Sequence, residues 1–124
     1  MIIGIGIDIV TVERFARGLP SEPGLKEDLF TEGEIAHCEG KARSAECFAA
    51  RFAAKEAFLK AVGTGWRDGL AFKQIEVFAD RLGKPELKLR GKASEAAAAL
   101  NVRAVHLSMS HEATHAVAVV ILEK

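Results

Sequence analysis

The sequence predicts an α+β domain, a mainly antiparallel sheet with a long central helix packed on it. Three observations carry that prediction. The chain has 124 residues, which suits one domain over residues 1–124. Strand-like segments stand alone at the N-terminus and then in two later pairs, as in hairpins rather than in alternating parallel units. Between them, residues 44–62 are apolar around most of a helical circumference, which marks a helix covered on several sides.

Taken in order, IIGIGIDI at residues 2–9 has the apolar content and alternation of a buried strand. Ile3, Ile5 and Ile7 point one way; Gly4, Gly6 and Asp8 point the other. Glycine weakens a strand unless something must approach closely, so Asp8 sits on a face cleared of side chains. A dinucleotide fingerprint is excluded, because the third glycine and the opening of a helix are missing. Residues 10–18 read as a short helix opening at Thr11, with Arg14 and Arg17 on one face. Pro20 and Pro23 mark a loop. A second helix begins near Thr31, where TEGE has the capping-box form, giving Glu34 a structural role as its cap.

The long helix runs from Ser44 to Val62 and stops at Gly63, the residue type favoured just past a helix end. Strands follow at 74–79 and 86–90 around the turn RLGKP, then an alanine-rich helix at 93–100. A second strand pair, RAVHLSMS and HAVAVVIL, closes the chain around HEAT.

Charged residues make up 27% of the chain and hydrophobic ones 49%, the balance of a soluble globular protein. The longest apolar run, Ala116–Leu122, is far short of the ~20 residues that span a bilayer. The N-terminus lacks a basic segment and meets an acid at Asp8, so no signal peptide is expected there. The expected setting is the cytoplasm, away from any membrane. Cys38 and Cys47 show neither CxxC spacing nor a disulfide framework, and are expected to be free packing thiols.

Net charge is zero, but it is unevenly spread. Residues 21–40 hold six acids and one base; residues 41–67 hold six bases and two acids. The basic excess is too small and too poor in aromatics for a nucleic-acid surface, so no nucleic-acid partner is expected. A compact anionic ligand fits better.

The candidate chemistry centres on RFAAKEAFLKAVGTG at 51–65. At 100° per residue, Arg51 and Lys55 share one place on the helix, and Glu56 and Lys60 another, roughly opposite. If this helix packs on the glycine face of the first strand, Glu56 meets Asp8. Two carboxylates with open positions left over suit Mg²⁺, which is commonly held by one or two carboxylates together with substrate phosphates. Read singly, Glu56 is also the favoured i,i+4 partner of Lys60 on a helix surface. Arg51, Lys55 and Lys60 line a helix ending in GTG, whose backbone N–H groups suit either an anion or a plain helix cap. The Lys55 stem is expected to be covered, with its ammonium reaching outward. His111 follows Ser110, but no G-x-S-x-G elbow surrounds them, and a hydrogen-bonding role is expected. His111 and His115 lie across a turn, not at zinc-ligand spacing on a helix.

Taken together, GIGIDIV at 4–10, Arg14, FTEGE at 30–34, RFAAKEAFLKAVGTG, GKP at 83–85 and HLSMSHE at 106–112 resemble the holo-acyl-carrier-protein synthases, the short-chain 4′-phosphopantetheinyl transferases. The most specific part is the pair G-x-D and F-x-x-K-E-x-x-x-K, present as Gly6–Asp8 and Phe52–Lys60. The resemblance runs from Met1 to about Leu122. It implies transfer of the 4′-phosphopantetheine arm of coenzyme A to a serine hydroxyl of apo acyl carrier protein, with release of adenosine 3′,5′-bisphosphate. It implies that Asp8 and Glu56 hold Mg²⁺ and that Lys60 contacts the transferring phosphate, so these three are the candidate catalytic residues.

By the same resemblance, Arg51, Lys60, Gly63, Gly65 and His111 line the coenzyme A site, and Arg14, with Arg17, docks the acidic carrier protein. A homotrimer with sites between subunits is implied as well. Glu56 is the candidate base, with Glu34 as a group to orient a water. Lys41 and Arg43 match loosely the basic residues of the 3′-phosphate site. Two other readings use the same residues: a Mg²⁺-dependent hydrolase of nucleotide pyrophosphates, and a non-catalytic coenzyme A-binding module.

Overall fold

The structure, a computed structural model, describes residues 1–63 and 70–124. Its elements are β1 (Ile2–Thr11), α1 (Val12–Ser21), α2 (Leu25–Leu29), α3 (Glu32–Glu39), α4 (Ser44–Val62), a 3-10 turn (Phe72–Gln74), β2 (Ile75–Ala79), β3 (Pro85–Leu89), α5 (Gly91–Ala99), β4 (Ala104–His111) and β5 (His115–Glu123). The α+β class is the expected one. The strands form two antiparallel sheets, a three-stranded one ordered β1-β5-β4 and the separate hairpin β2-β3. No helix among the described residues is long and apolar enough to cross a membrane.

Helix α4 organises the molecule. It packs against β1 and β5 on one side and against α1, α3 and β2 on others. That position explains its all-round apolar sequence: Ala49, Ala53, Ala54, Ala57 and Phe58 are fully buried. Its contact with β1 is unusually close. A Cβ added at Gly6 would lie 1.9 Å from the Ala57 carbonyl oxygen, and one at Gly4 would lie 2.3 Å from that of Ala61. The two glycines and the alanines facing them let helix and strand backbones approach to a distance that side chains would prevent. At the other end of α4, Gly63 takes the left-handed conformation (φ +77°), and its N–H donates to the Leu59 and Lys60 carbonyls, 3.1 Å each.

Four expectations need correction. The segment after Pro20 is not all loop: Pro20 lies in the last turn of α1, and α2 follows. Proline removes one i→i−4 bond and crowds the carbonyl four residues back, a disturbance confined here to the last turn because the helix ends at Ser21. The first strand is buried on its glycine face alone; Ile5, Ile7 and Ile9 are 66%, 58% and 66% exposed. The close approach of α4 uses the glycine face, and alternation sends Ile5, Ile7 and Ile9 to the opposite one.

Lys55 does not reach outward. It is 0% exposed, and its Nζ donates to Glu34 Oε1 at 2.7 Å and to the Phe72 carbonyl at 3.0 Å. A helix enclosed between layers leaves its stem no route to solvent, so the charge is met internally. Finally, Cys38 and Cys47 are not free: they form a disulfide between the end of α3 and the start of α4. They stand nine positions apart in sequence, but the helix junction brings their Cα atoms to 5.4 Å.

Candidate active site

Register places Asp8 opposite Ala118 of β5, on the sheet face that carries α4. Lys60, in the last turn of α4, donates from Nζ to Asp8 Oδ1 at 3.0 Å and to the Ile7 carbonyl at 3.0 Å. Lys60 therefore pairs across to the strand, although Glu56 stands one turn before it on its own helix. Burial raises the Glu56 carboxyl above its ordinary pKa, and the nearby negative charge of Asp8 raises it further; Lys60 and Arg14 oppose this. Two acids and a lysine thus converge where α4 lies closest to β1. An acid that resists ionisation beside a second acid favours a bound cation or a proton-transfer role.

Glu56 also lines a cavity of about 290 Å³ with Arg14, Phe15, Leu25, Leu29 and Phe52. The Arg14 guanidinium lies 5.0 Å from the centre of the Phe52 ring, a cation–π placement. Its lining is mostly apolar, with one arginine, Arg14, and two carboxylates, Glu22 and Glu56. Arg17 is not part of it: it pairs with Glu13 at 2.8 Å on the exposed side of α1.

A second cavity, of about 360 Å³, lies near the start of α4 and includes His37, Lys41, Arg43, Cys47, Arg51 and His111. Arg51 is 7% exposed, and its Nη1 donates to Cys47 Sγ at 3.3 Å. Its Nε has no hydrogen-bond partner among the described residues, although a buried guanidinium normally uses its donors. His111, at the end of β4, is held by Glu46 Oε1 at 2.8 Å from Nδ1. Burial depresses the His37 pKa, and the positive charges of Arg51 and Lys41 add to that. The cavity is a concentration of cationic donors with one acid at its back, chemistry suited to a phosphate.

The predicted residues therefore fall into groups. Asp8, Glu56 and Lys60 come together; Arg51 and His111 come together about two turns earlier along α4; Arg14 joins Glu56 from α1. Gly63 lies at the end of the helix that carries Lys60, with its N–H engaged in the cap. Gly65 lies outside the described residues.

Glu34 does cap α3: it accepts from the Thr31 N–H at 2.9 Å while its own N–H donates to Thr31 Oγ1. Its Oε1 also holds Lys55, and Oε2 accepts from the Val77 N–H at 2.8 Å. Both oxygens are engaged, which removes Glu34 as a group to orient a water at Glu56. Sequence reasoning missed Glu46 and His37, because nothing local ties Glu46 to a histidine sixty-five residues later. The apolar cavity was hidden for the same reason: it is assembled from α1, α2 and α4.

Residues 4–120 match the family described as the 4′-phosphopantetheinyl transferase superfamily. A holo-[acyl-carrier-protein] synthase of Geobacter sulfurreducens is 52% identical over 126 residues, covering 100% of this chain and 99% of its own. Among solved structures, the Neisseria meningitidis holo-[acyl-carrier-protein] synthase superposes with a TM-score of 0.89 at 38% identity, covering 100% of both chains. The Bacillus anthracis enzyme, crystallised in complex with CoA (3′,5′-ADP), gives 0.81 at 41% identity, covering 98% of this chain and 96% of that one.

Proposed function

The chain belongs to the 4′-phosphopantetheinyl transferase superfamily and is an enzyme of the holo-[acyl-carrier-protein] synthase type; from that premise we propose how its residues carry the reaction. The whole chain acts as one transferase domain. It moves the 4′-phosphopantetheine arm of coenzyme A to a serine hydroxyl of apo acyl carrier protein, and adenosine 3′,5′-bisphosphate leaves. The observation that carries this reading is the convergence of Asp8 of β1 with Glu56 and Lys60 of α4, the same helix that presents Arg51 to the cationic cavity.

Mg²⁺ fits the acids on chemical grounds. Asp8 and Glu56 offer hard oxygen donors, and burial together with the charge of Asp8 already raises the Glu56 pKa. No group of three or more metal-binding side chains lies together among the described residues. Two carboxylates are sufficient when substrate phosphates supply the remaining ligands. Bound there, the ion would neutralise charge on the pyrophosphate.

The protein's own groups do the rest. Lys60 presents its ammonium beside Asp8, placed to attract charge building on the transferred phosphate. Glu56 Oε accepts the serine proton, directly or through a water, and its raised pKa brings it nearer to the working range of a general base. Arg51, with Lys41, Arg43 and His111, holds the nucleotide phosphate. Lys60 lies nine residues after Arg51, so about 13 Å of helix separates the two ends of the ligand site.

Arg14 and the apolar cavity beside Glu56 receive the acidic carrier protein, with Arg17 extending the positive edge. The exposed isoleucines of β1 have Val117, Val119 and Ile121 of β5 beside them across the ladder, a continuous apolar sheet face. We read this face as the contact between three copies of the chain. The setting is the cytoplasm, where no secretion step is required.

The test is the intact mass of apo acyl carrier protein incubated with this protein, coenzyme A and Mg²⁺, with a chelator control. A metal-dependent gain of one phosphopantetheine arm supports the reading. Cleavage of coenzyme A with the carrier unmodified would replace it with the hydrolase.

A further inference from the structure

The basic wall of the second cavity is built on a crosslink. Cys38 in the last turn of α3 and Cys47 in the first turn of α4 are disulfide-bonded, and the chain between them carries Lys41 and Arg43 to the cavity. The same short connection leads to Glu46, which holds His111. The two sulfurs are not equivalent. Cys38 is fully buried, whereas Cys47 lines the cavity and accepts a hydrogen bond from Arg51 Nη1.

We infer that Cys38 and Cys47 form a thiol–disulfide switch that sets the affinity of this cavity for the phosphate of coenzyme A, high when the bond is closed and lower when it is open. The inference rests on the proposed placement of the coenzyme A nucleotide in the cavity. Opening uses a low-molecular-weight dithiol. One thiolate attacks Cys47 Sγ, the sulfur that faces the cavity, and Cys38 leaves as a thiolate that takes up a proton. The second thiolate of the reagent then attacks the mixed disulfide, closes its own disulfide and releases Cys47. Two electrons and two protons pass to the protein, and the dithiol becomes a disulfide. Closing runs the same exchange in reverse with a low-molecular-weight disulfide as oxidant.

Two physical consequences follow from opening. The connection carrying Lys41 and Arg43 loses its clamp, so holding those bases around an anion costs more conformational entropy. The released Cys47 sulfur also lies beside the Arg51 guanidinium, which favours its thiolate form. A thiolate there removes positive charge from the cavity and competes with phosphate for the same donor. Asp8, Glu56 and Lys60, at the far end of α4, keep their geometry. The effect therefore falls on coenzyme A binding and spares the chemical step.

The test compares oxidised protein with protein reduced by dithiothreitol and desalted under nitrogen. Thiol alkylation followed by intact-mass measurement reports the redox state of each sample. Reduced protein is expected to show a KM for coenzyme A roughly tenfold higher, the loss of about one charge-assisted hydrogen bond, with kcat unchanged within twofold. Oxidised glutathione should restore the lower KM. The double variant C38S/C47S, checked for its fold by circular dichroism, should hold the higher KM and ignore both reagents.

Calorimetric titration of adenosine 3′,5′-bisphosphate into both forms gives a readout independent of turnover, and should weaken in parallel. Equal KM and equal bisphosphate affinity in the two redox states would overturn the switch while leaving the proposed function standing. Two alkylatable thiols in protein never exposed to reductant would overturn it as well. Absence of bisphosphate binding and of carrier modification in both states would instead overturn the function on which it rests.

Discussion

Lys55 Nζ stands 2.7 Å from Glu34 Oε1, and neither side chain reaches solvent. The pair joins α3 to α4, and Glu34 carries the connection on to the Val77 N–H of β2. Burial pushes the Lys55 pKa down, while Glu34 works to hold the proton in place. Removing one member leaves the other as a buried charge without its counterion. Lys55→Ala is expected to lower stability by about 3–5 kcal/mol, whereas the double change Glu34→Gln with Lys55→Met should recover much of that loss. Urea denaturation of the wild type and the two variants checks it; equal losses for the single and the double variant would contradict the coupling.

Gly6→Ala tests the close approach of β1 and α4. The added methyl would meet the Ala57 carbonyl at 1.9 Å, with backbone rather than a flexible side chain as its neighbour. The helix must shift away from the strand, at a cost of about 3 kcal/mol or more. The shift separates Lys60 and Glu56 from Asp8, so transfer should fall at least a hundredfold even at temperatures where the variant is folded. Gly40→Ala is the control, since its nearest neighbour lies at 3.5 Å. Circular dichroism melts and the carrier-modification assay read both effects.

Glu56→Gln separates function from stability. Glu56 has a folded-state pKa above its ordinary value because of burial and Asp8. Between the ordinary and the raised value the folded protein binds more protons than the unfolded chain. Stability from this group is therefore present at low pH and is lost as pH rises through the raised pKa. At neutral pH the native carboxylate is a small liability, and the amide removes it. In the absence of metal, Glu56→Gln is expected to raise Tm by roughly 1–3 °C, small because the group is half-exposed and screened. Transfer should drop by a factor on the order of 10³. The Tm difference should vanish toward pH 4. A variant that loses stability at neutral pH, or that keeps near-normal turnover, would refute the assignment.

Ile7→Glu addresses the open sheet face. Ile7 is 58% exposed and lies beside Val119 of β5, on the side away from α4. A carboxylate there costs the isolated fold little, within about 0.5 kcal/mol. In an assembly it would be buried between apolar surfaces, at a cost of several kcal/mol. Light scattering behind size-exclusion chromatography is expected to show a trimer for the wild type and a monomer for the variant. Should sites lie between subunits, transfer will fall with the trimer, and its dependence on protein concentration will steepen.

Much of this was legible in the chain. Period-2 alternation with two glycines identified the face of β1 that a helix would approach, and the capping box at Thr31 and the stop at Gly63 gave the ends of α3 and α4. Those signals are local, because caps and alternation depend on neighbours a few residues apart. Asp8 and Glu56 were also paired from sequence, on the condition that the helix packs on the cleared strand face, and the resemblance carried by G-x-D and F-x-x-K-E-x-x-x-K favoured that pairing over a plain Glu56–Lys60 surface pair. The partners of the remaining charges were not legible. Lys55 and Arg51 occupy neighbouring places on the same helix, yet one is sealed against Glu34 while the other opens into a cavity.

By itself, then, the sequence determined the element types, the glycine-cleared face and the residue kinds available for chemistry. The tertiary structure alone decided which charge meets which. It turned Lys55 inward to Glu34, turned Lys60 away from Glu56 to Asp8, tied His111 to Glu46 and joined Cys38 to Cys47. The physical reason is range. Secondary structure follows from steric and hydrogen-bonding preferences within a few residues. An ion pair or a disulfide is a contact of a few ångströms between atoms that only the packing of α4 against its neighbours brings together.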